Sequence, residues 1–311
     1  MATASTRPIL CVGLTCIDVI SYCDRFPEED SDIRCQQQRW CLGGNACNNT
    51  CVLRQLGADA DLFTAIPCAD VVVLRRLLAD AELPLEYIVR RHDDVTPCST
   101  VIVNTTTGSR TIQHARNVLH EPNMDEFRIF CTPLRDYNFS WIHFEGRNFD
   151  ETRKMIDFIL EYRTQNSSDH PKISVECEKV RPEPMLEQLI PGVDYLFISK
   201  DFARKHKADN MVQAVNLMHE KFANARTTVI CAWGDQGAAA RLSDGVVVSV
   251  PAHVPDSPIV DTLGAGDTFV AATIYALNCC NMDVKGALQF ACRIAAEKCT
   301  KMGVLNLTVL K

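Results

Sequence analysis

Apolar runs of strand length recur along the chain, at Ile9 to Gly13, Leu62 to Ile66, Trp141 to Phe144, Ile173 to Val175, Tyr195 to Ile198 and Thr228 to Cys231. Helical patterns separate most of them. Ala46 to Leu56 sets Cys47 against Cys51 and Val52 against Leu56, while Met155, Ile156, Ile159 and Leu160 form one face of a second helix. Strands alternating with helices predict an α/β fold, a central mostly parallel sheet covered on both faces. Two stretches break the rhythm, about 18–42 and 87–115, where pieces such as Ser99 to Val103 carry threonine and valine with no intervening helix. They predict a small second sheet, a discontinuous lid on a single domain spanning 1–311, placed to cover a site. From Val229 the pattern becomes that of hairpins, with turns at Gly234 to Gly237 and Ser243 to Gly245. Two helices follow, the second over about Asp283 to Lys301 with Leu288, Ala291, Cys292, Ala295 and Cys299 on its buried face.

Composition narrows the function classes. The 311 residues are 47% hydrophobic and 23% charged with a net charge of -7, which provides no positive field for a nucleic acid or an anionic membrane surface. No apolar stretch reaches membrane-spanning length. The early run Ile9 to Ile20 is interrupted by Asp18 and lacks a basic leader, so it predicts a buried strand in a cytoplasmic protein. The 16 cysteines are scattered, with no Cys-x-x-Cys pair, and are expected to be reduced thiols rather than a disulfide scaffold or a zinc site.

The strongest chemical signal is Asp261-Thr262-Leu263-Gly264-Ala265-Gly266-Asp267, which leads into the amphipathic run Thr268 to Leu277. A glycine turn entering a helix presents unpaired N–H groups and the positive end of the helix dipole, so it predicts an anion hole. A carboxylate at that point would repel a bound phosphate unless it has other work. Phosphoryl transfer to an alcohol supplies such work, because the hydroxyl must lose a proton. Asp267 is the candidate general base, with the amides of Ala265, Gly266 and Asp267 around the transferring group. Taken alone, an Asp at a helix start is equally an ordinary cap. Other phosphate motifs are absent: there is no Gly-x4-Gly-Lys-Ser/Thr, and Phe269 stands where a dinucleotide fingerprint needs its third glycine.

A second turn, Gly43-Gly44-Asn45-Ala46-Cys47-Asn48, also opens a helix. Asn45 and Asn48 share a face and suit the mixed donors and acceptors of a sugar. Their alternative reading is a helix cap and a solvated side chain. Asp18, at the end of the first stretch, lies where ligands of parallel sheets collect and could grip a pair of hydroxyls.

With Asp-Thr-x-Gly-Ala-Gly-Asp late and Gly-Gly-Asn-Ala-x-Asn early, the chain resembles the ribokinase/PfkB family of carbohydrate kinases over nearly its whole length. The likeness is strongest to the ketohexokinase branch, the hepatic-type fructokinases. Supporting stretches are Ile9 to Ser21, Glu29 to Cys35, Gly108 to Ile112, Trp141 to Asn148, Ser174 to Lys179 and Cys231 to Trp233. The resemblance implies a ribokinase-like sheet with a β-clasp lid, and ATP- and Mg2+-dependent phosphorylation of fructose to fructose 1-phosphate, with K+ as an optional activator. It implies that Asp18, Gly44, Asn45 and Asn48 hold the sugar, that Asp267 deprotonates it, and that Arg110 meets the transferred phosphate. Gly234, Asp235, Gln236, Gly237, Gly264, Ala265 and Gly266 would border ATP, with Lys200 a further nucleotide contact. Val254, Pro255, Cys292, Ala295 and Cys299 would line the adenine slot. It also implies a homodimer through the lid, with Asp30 reaching the neighbouring subunit's sugar. The alternatives are a ribokinase-like or adenosine-kinase-like specificity, or a sugar-sensing protein without catalysis. Two departures bear on these roles: Ser199-Lys200-Asp201-Phe202 replaces the family's Asn-x-x-Glu, and His114 and Ala115 replace aromatics.

Overall fold

The computed structural model describes residues 7–68, 72–131, 139–178, 186–222, 226–305 and 307; Lys179, within one of the supporting stretches, lies outside them. The chain runs β1 (Ile9–Val12), β2 (Cys16–Cys23), β3 (Gln37–Gly43), α1 (Asn45–Gln55), β4 (Ala60–Pro67), α2 (Val72–Asp80), β5 (Ile88–Arg91), β6 (Cys98–Asn104), β7 (Arg110–Ala115), α3 (Met124–Cys131) and β8 (Trp141–Glu145). It continues α4 (Phe149–Gln165), β9 (Lys172–Cys177), β10 (Tyr195–Ile198), α5 (Lys200–Lys205), α6 (Met211–Phe222), β11 (Thr228–Ala232), β12 (Ala238–Arg241), β13 (Val247–Val250), α7 (Ala265–Asn278) and α8 (Val284–Cys299). A nine-stranded sheet has the order β13-β12-β11-β10-β9-β8-β1-β4-β5. It is parallel from β5 to β11 and antiparallel across β12 and β13.

Alternation along β1 shows how the two layers arise. Leu10 and Val12 point into a core with Phe127 of α3, Ile156 of α4, Phe202 of α5 and Met218 of α6. Ile9 and Cys11 point the other way, into a core with Val52 of α1, Leu74 of α2, Ile274 of α7 and Leu288 of α8. Both faces of the parallel strands are therefore apolar, as the near-continuous hydrophobic runs require.

The second sheet, in the order β3-β2-β6-β7, stands apart from the first. Its strands span 16–43 and 98–115, which overlaps the two stretches that broke the helical rhythm and begins two residues before the first of them. Ile88–Arg91 does not belong to it but pairs with β4 at the edge of the large sheet, with Ile88 and Val89 buried. The second of the expected lid stretches thus begins too early, because a short edge strand without a following helix reads like lid sequence.

A titratable group lies in the core. His143 on β8 is fully buried, and its Nδ1 is 2.8 Å from Ser174 Oγ, which also accepts the Trp141 indole N–H at 2.7 Å. Burial lowers the ring's pKa from 6.5 to about 3, which keeps it neutral. Between those values the unfolded chain binds the extra proton and the folded one does not. Stability is therefore fully present above pH 6.5 and falls by roughly 1.4 kcal/mol per unit below it. Urea midpoints measured from pH 7 to pH 4 should fall more steeply for the parent than for His143→Leu. Parallel profiles would remove His143 from the acid response.

Candidate functional site

The site forms where the carboxyl ends of the parallel strands meet the starts of α1 and α7. Gly44 precedes α1 with φ 95°, and a Cβ there would lie 2.1 Å from the Leu14 carbonyl oxygen, so only glycine permits this entry. Gly43 makes room for Asp18, since a Cβ on it would sit 2.3 Å from that carboxylate. Glu145, at the end of β8, fixes the turn: its Oε2 accepts the Leu14 amide at 2.9 Å and the Ala46 amide at 3.3 Å, and Arg147 holds its Oε1 at 3.0 Å.

Gly264 starts α7 in the left-handed conformation at φ 75°. The Ala265 amide donates to Thr262 O at 3.3 Å, closing a turn, so the first-turn donors that face outward are chiefly those of Gly266 and Asp267. This narrows the anion hole expected from three amides. Asp267 is buried, its Oδ2 accepting Asn48 Nδ2 at 2.6 Å, and Asn49 Nδ2 donates to the Asp267 carbonyl at 2.9 Å. The two glycine turns, 219 residues apart in sequence, are thereby locked together.

Both asparagines of the first turn commit their NH2 groups to carboxylates. Asn45 Nδ2 donates to Glu176 Oε2 at 3.1 Å and to Glu178 Oε2 at 2.7 Å. Asn45 thus spends both amide hydrogens on carboxylates and Asn48 one of its two, which leaves the pair richer in acceptors than in donors. Asn48 Oδ1 is buried with no partner among the described residues, a vacancy that costs about 1–3 kcal/mol unless a donor fills it. Burial, and then the neighbouring Glu178 and Asp267, push Glu176 well above the usual carboxylate range, so this acidic cluster carries less charge than its composition suggests.

The small sheet turns one face toward this edge. Asp18, Ser99 and His114 lie side by side across β2, β6 and β7, with Ser99 Oγ 3.1 Å from His114 Nδ1. On the same face Ile20, Tyr22 and Val101 pack with Leu263 of the late glycine turn, and Arg110 donates to Thr262 Oγ1 at 2.7 Å. Asp261, at the head of that turn, pairs with the fully buried Lys298 of α8 at 3.2 Å.

The remaining predicted residues are spread along the adjoining edge. Gly234, Asp235, Gln236 and Gly237 form the turn from β11 to β12, the first three exposed and Gly237 buried. At Gly237, φ 103°, a Cβ would meet Val250 O at 2.1 Å, so packing alone demands that glycine. Lys200 lies 5.6 Å above the Trp233 ring, next to the turn. Cys292 is buried and Ala295 and Cys299 half-buried on α8, and the Cys299 carbonyl accepts the amides of Val260 and Asp261. Pro255 is half-buried, but Val254 is 82% exposed and lines no closed slot, because its proline-rich loop pairs with no strand. Asp30 sits at φ 60° on the exposed loop between β2 and β3. The glutamates and Lys298 were not singled out from the sequence. Glu145 ends a parallel strand, as expected of Asp18, whereas Asp18 lies within β2 of the small sheet because the early apolar run breaks into two strands after Val12; Lys298 carried no signal.

Comparison with known proteins accords with this geometry. The model of the pfkB family carbohydrate kinase matches residues 6–309. The chain is 37% identical to ketohexokinase of Mus musculus over 302 residues, covering 96% of this chain and 97% of the mouse protein. Among solved structures it superposes on ribokinase from Giardia lamblia with a TM-score of 0.78 at 16% identity, over 96% and 95% of the two chains. Against Arabidopsis thaliana ribokinase complexed with ribose and ATP the TM-score is 0.73 at 16% identity, over 96% and 94%. These likenesses fix the fold as ribokinase-like, and the family match over nearly every residue shows that the chain belongs to the pfkB family of carbohydrate kinases.

Proposed function

We propose that this carbohydrate kinase transfers the γ-phosphoryl group of ATP to the primary 1-hydroxyl of fructose. The observation that carries the reading is the contact of Asn48 with Asp267, which sets a carboxylate, an unfilled buried acceptor and a helix N-terminus in one small volume. Asp18 and the oxygens of Asn45 and Asn48 accept hydroxyl protons of the sugar, while Gly44 allows its close approach. Asp267 removes the proton of the attacking hydroxyl, and the amides of Gly266 and Asp267 face the charge that develops on the phosphoryl oxygens. Arg110, held by Thr262, supplies a further positive charge. Gly234 to Gly237, Lys200 and the α8 face of Cys292, Ala295 and Cys299 border the nucleotide, with Pro255 and Val254 closing over the base on binding.

Magnesium would arrive hydrated on the nucleotide phosphates. Glu178, half-buried beside Asn45, would meet it through water. When bound, magnesium neutralises the phosphate oxygens. The opposite face of the lid exposes Trp40 at 50%, a surface suited to the homodimer in which Asp30 reaches the partner's sugar.

The test is a substrate panel with ATP and magnesium, read as ADP release and as the position of the new phosphate by NMR. Fructose should give the highest kcat/KM, with the phosphate on O1. Preferred turnover of ribose or a nucleoside would replace the assignment, and sugar binding without any transfer would favour a sensor.

A further inference from the structure

The lid joins the body at four crossings: β1 to β2 at 13–15, β3 to α1 at Gly44, β5 to β6 at 92–97 and β7 to α3 at 116–123. They are tied in pairs. In the first pair a Cβ on Gly13 would lie 2.6 Å from Glu145 Oε2 and 2.8 Å from Ala46 Cβ, so the two crossings touch, and Glu145 Oε2 accepts the amides of Leu14 and Ala46. In the second pair the Val95 amide donates to Val118 O at 3.0 Å, Asn117 Nδ2 to Thr96 O at 2.9 Å and the His120 amide to Asp94 Oδ2 at 2.6 Å. Arg147, just after β8, joins the pairs. Its Nη1 donates to Glu145 Oε1 at 3.0 Å, while its Nε and Nη2 donate to the two oxygens of Glu121, in the fourth crossing, at 2.7 and 3.1 Å. The Arg147 side chain is 11% exposed and those of Glu145 and Glu121 are 9% and 7%, so solvent screens the bridge little. The backbone of Arg147 is fixed as well, since its amide donates to Glu145 O and its carbonyl accepts Thr152 Oγ1, each at 2.8 Å.

We propose that Arg147 is a positioning residue for phosphoryl transfer, which holds the lid at the spacing the sugar needs. Asp18 lies on the lid, while Asn45, Asn48 and Asp267 lie on the body. A sugar gripped by both is aligned only while the crossings keep lid and body in register. By holding Oε1 of Glu145, Arg147 keeps Oε2 turned to the Leu14 and Ala46 amides, and through Glu121 it carries the same restraint to the second pair. Misplacing a bound group by about 1 Å costs on the order of 10²-fold in rate, so a bridge that touches no ligand can still govern turnover. The inference rests on the sugar lying between Asp18 and Asn48, whichever sugar that is.

The experiment measures steady-state kinetics and melting curves for Arg147→Met, Arg147→Lys, Glu121→Gln and Asp18→Asn, with the sugar that the parent turns over best. Arg163→Met, which breaks a largely buried ion pair with Asp194 at the amino ends of the strands, is the stability control. Arg147→Met should lower kcat/KM for the sugar by about 10- to 100-fold, chiefly through KM, with the KM for ATP nearly unchanged. Arg147→Lys should recover part of that loss, because a cation still faces Glu145. Glu121→Gln leaves Arg147 on Glu145 but weakens its hold on the second pair, so it should raise the sugar KM by a smaller factor, and it carries the test if Arg147→Met does not fold. Arg163→Met should lose stability with the sugar KM of the parent. Sugar KM values in Arg147→Met and Glu121→Gln that rise no further than in Arg163→Met would overturn the proposal. A parental sugar KM in Asp18→Asn would overturn it too, and with it the placement of the sugar, so the two failures are told apart.

Discussion

Asp267→Asn is expected to lower kcat by about 10²- to 10⁴-fold, with little change in KM for the sugar or in thermal stability. The substitution keeps the side chain's shape, and a rotated amide can still offer its oxygen to Asn48 Nδ2, so the lock between α1 and α7 persists. The Asn49 bond to the residue 267 carbonyl involves only backbone on that side and is untouched. What disappears is the ability to take a proton. A loss in kcat with KM preserved marks an interaction made in the transition state rather than in ground-state binding. Steady-state kinetics with fructose and ATP, beside a melting curve, separate the outcomes. Near-full turnover would mean that Asp267 is a cap and that another group receives the proton. A large drop in melting temperature would instead mark it as a structural anchor.

The parts of this site readable in the sequence are those encoded within a few residues. The turns at Gly44 and Gly264 announce themselves because a positive φ and a close backbone approach leave glycine as the residue that fits, and the helices they open follow at once. The two-layer sheet is legible because β1, β8 and β10 are apolar on both faces. The connections across the fold are less legible. Glu145 holds amides 131 and 99 residues away, and the commitment of the Asn45 amide to Glu176 and Glu178 depends on β9 lying within reach of α1. Local pattern carries no information on such partners, so the asparagines read as donors and acceptors alike until the glutamates orient Asn45 and Asp267 orients Asn48. The edge strand β5 failed for a related reason, since four residues of strand sequence do not say which sheet they join.

Lys298 is the residue whose role inverts most between the two views, and Lys298→Met is expected to destabilise the fold by about 3–5 kcal/mol. On a helical projection it stands between Ala295 and Cys299 as an ordinary charge in the last turn of α8, yet it is fully buried. Its Nζ donates to the Asp261 carbonyl at 2.8 Å and lies 3.2 Å from Asp261 Oδ2. Desolvation lowers its pKa while Asp261 acts to raise it, the balance expected of a buried ion pair. Asp261 in turn accepts the Leu263 amide on Oδ1 and the Gly303 amide on Oδ2, at 2.8 and 2.9 Å. Removing the cation leaves a buried carboxylate with only those two amides to satisfy it, at the head of the turn that shapes the phosphate-binding helix. Urea denaturation should show the midpoint falling with the slope unchanged. The double variant Lys298→Met with Asp261→Asn should recover part of the loss, because the uncompensated charge is gone. A double variant no more stable than Lys298→Met would show that the uncompensated Asp261 charge is not the source of the loss.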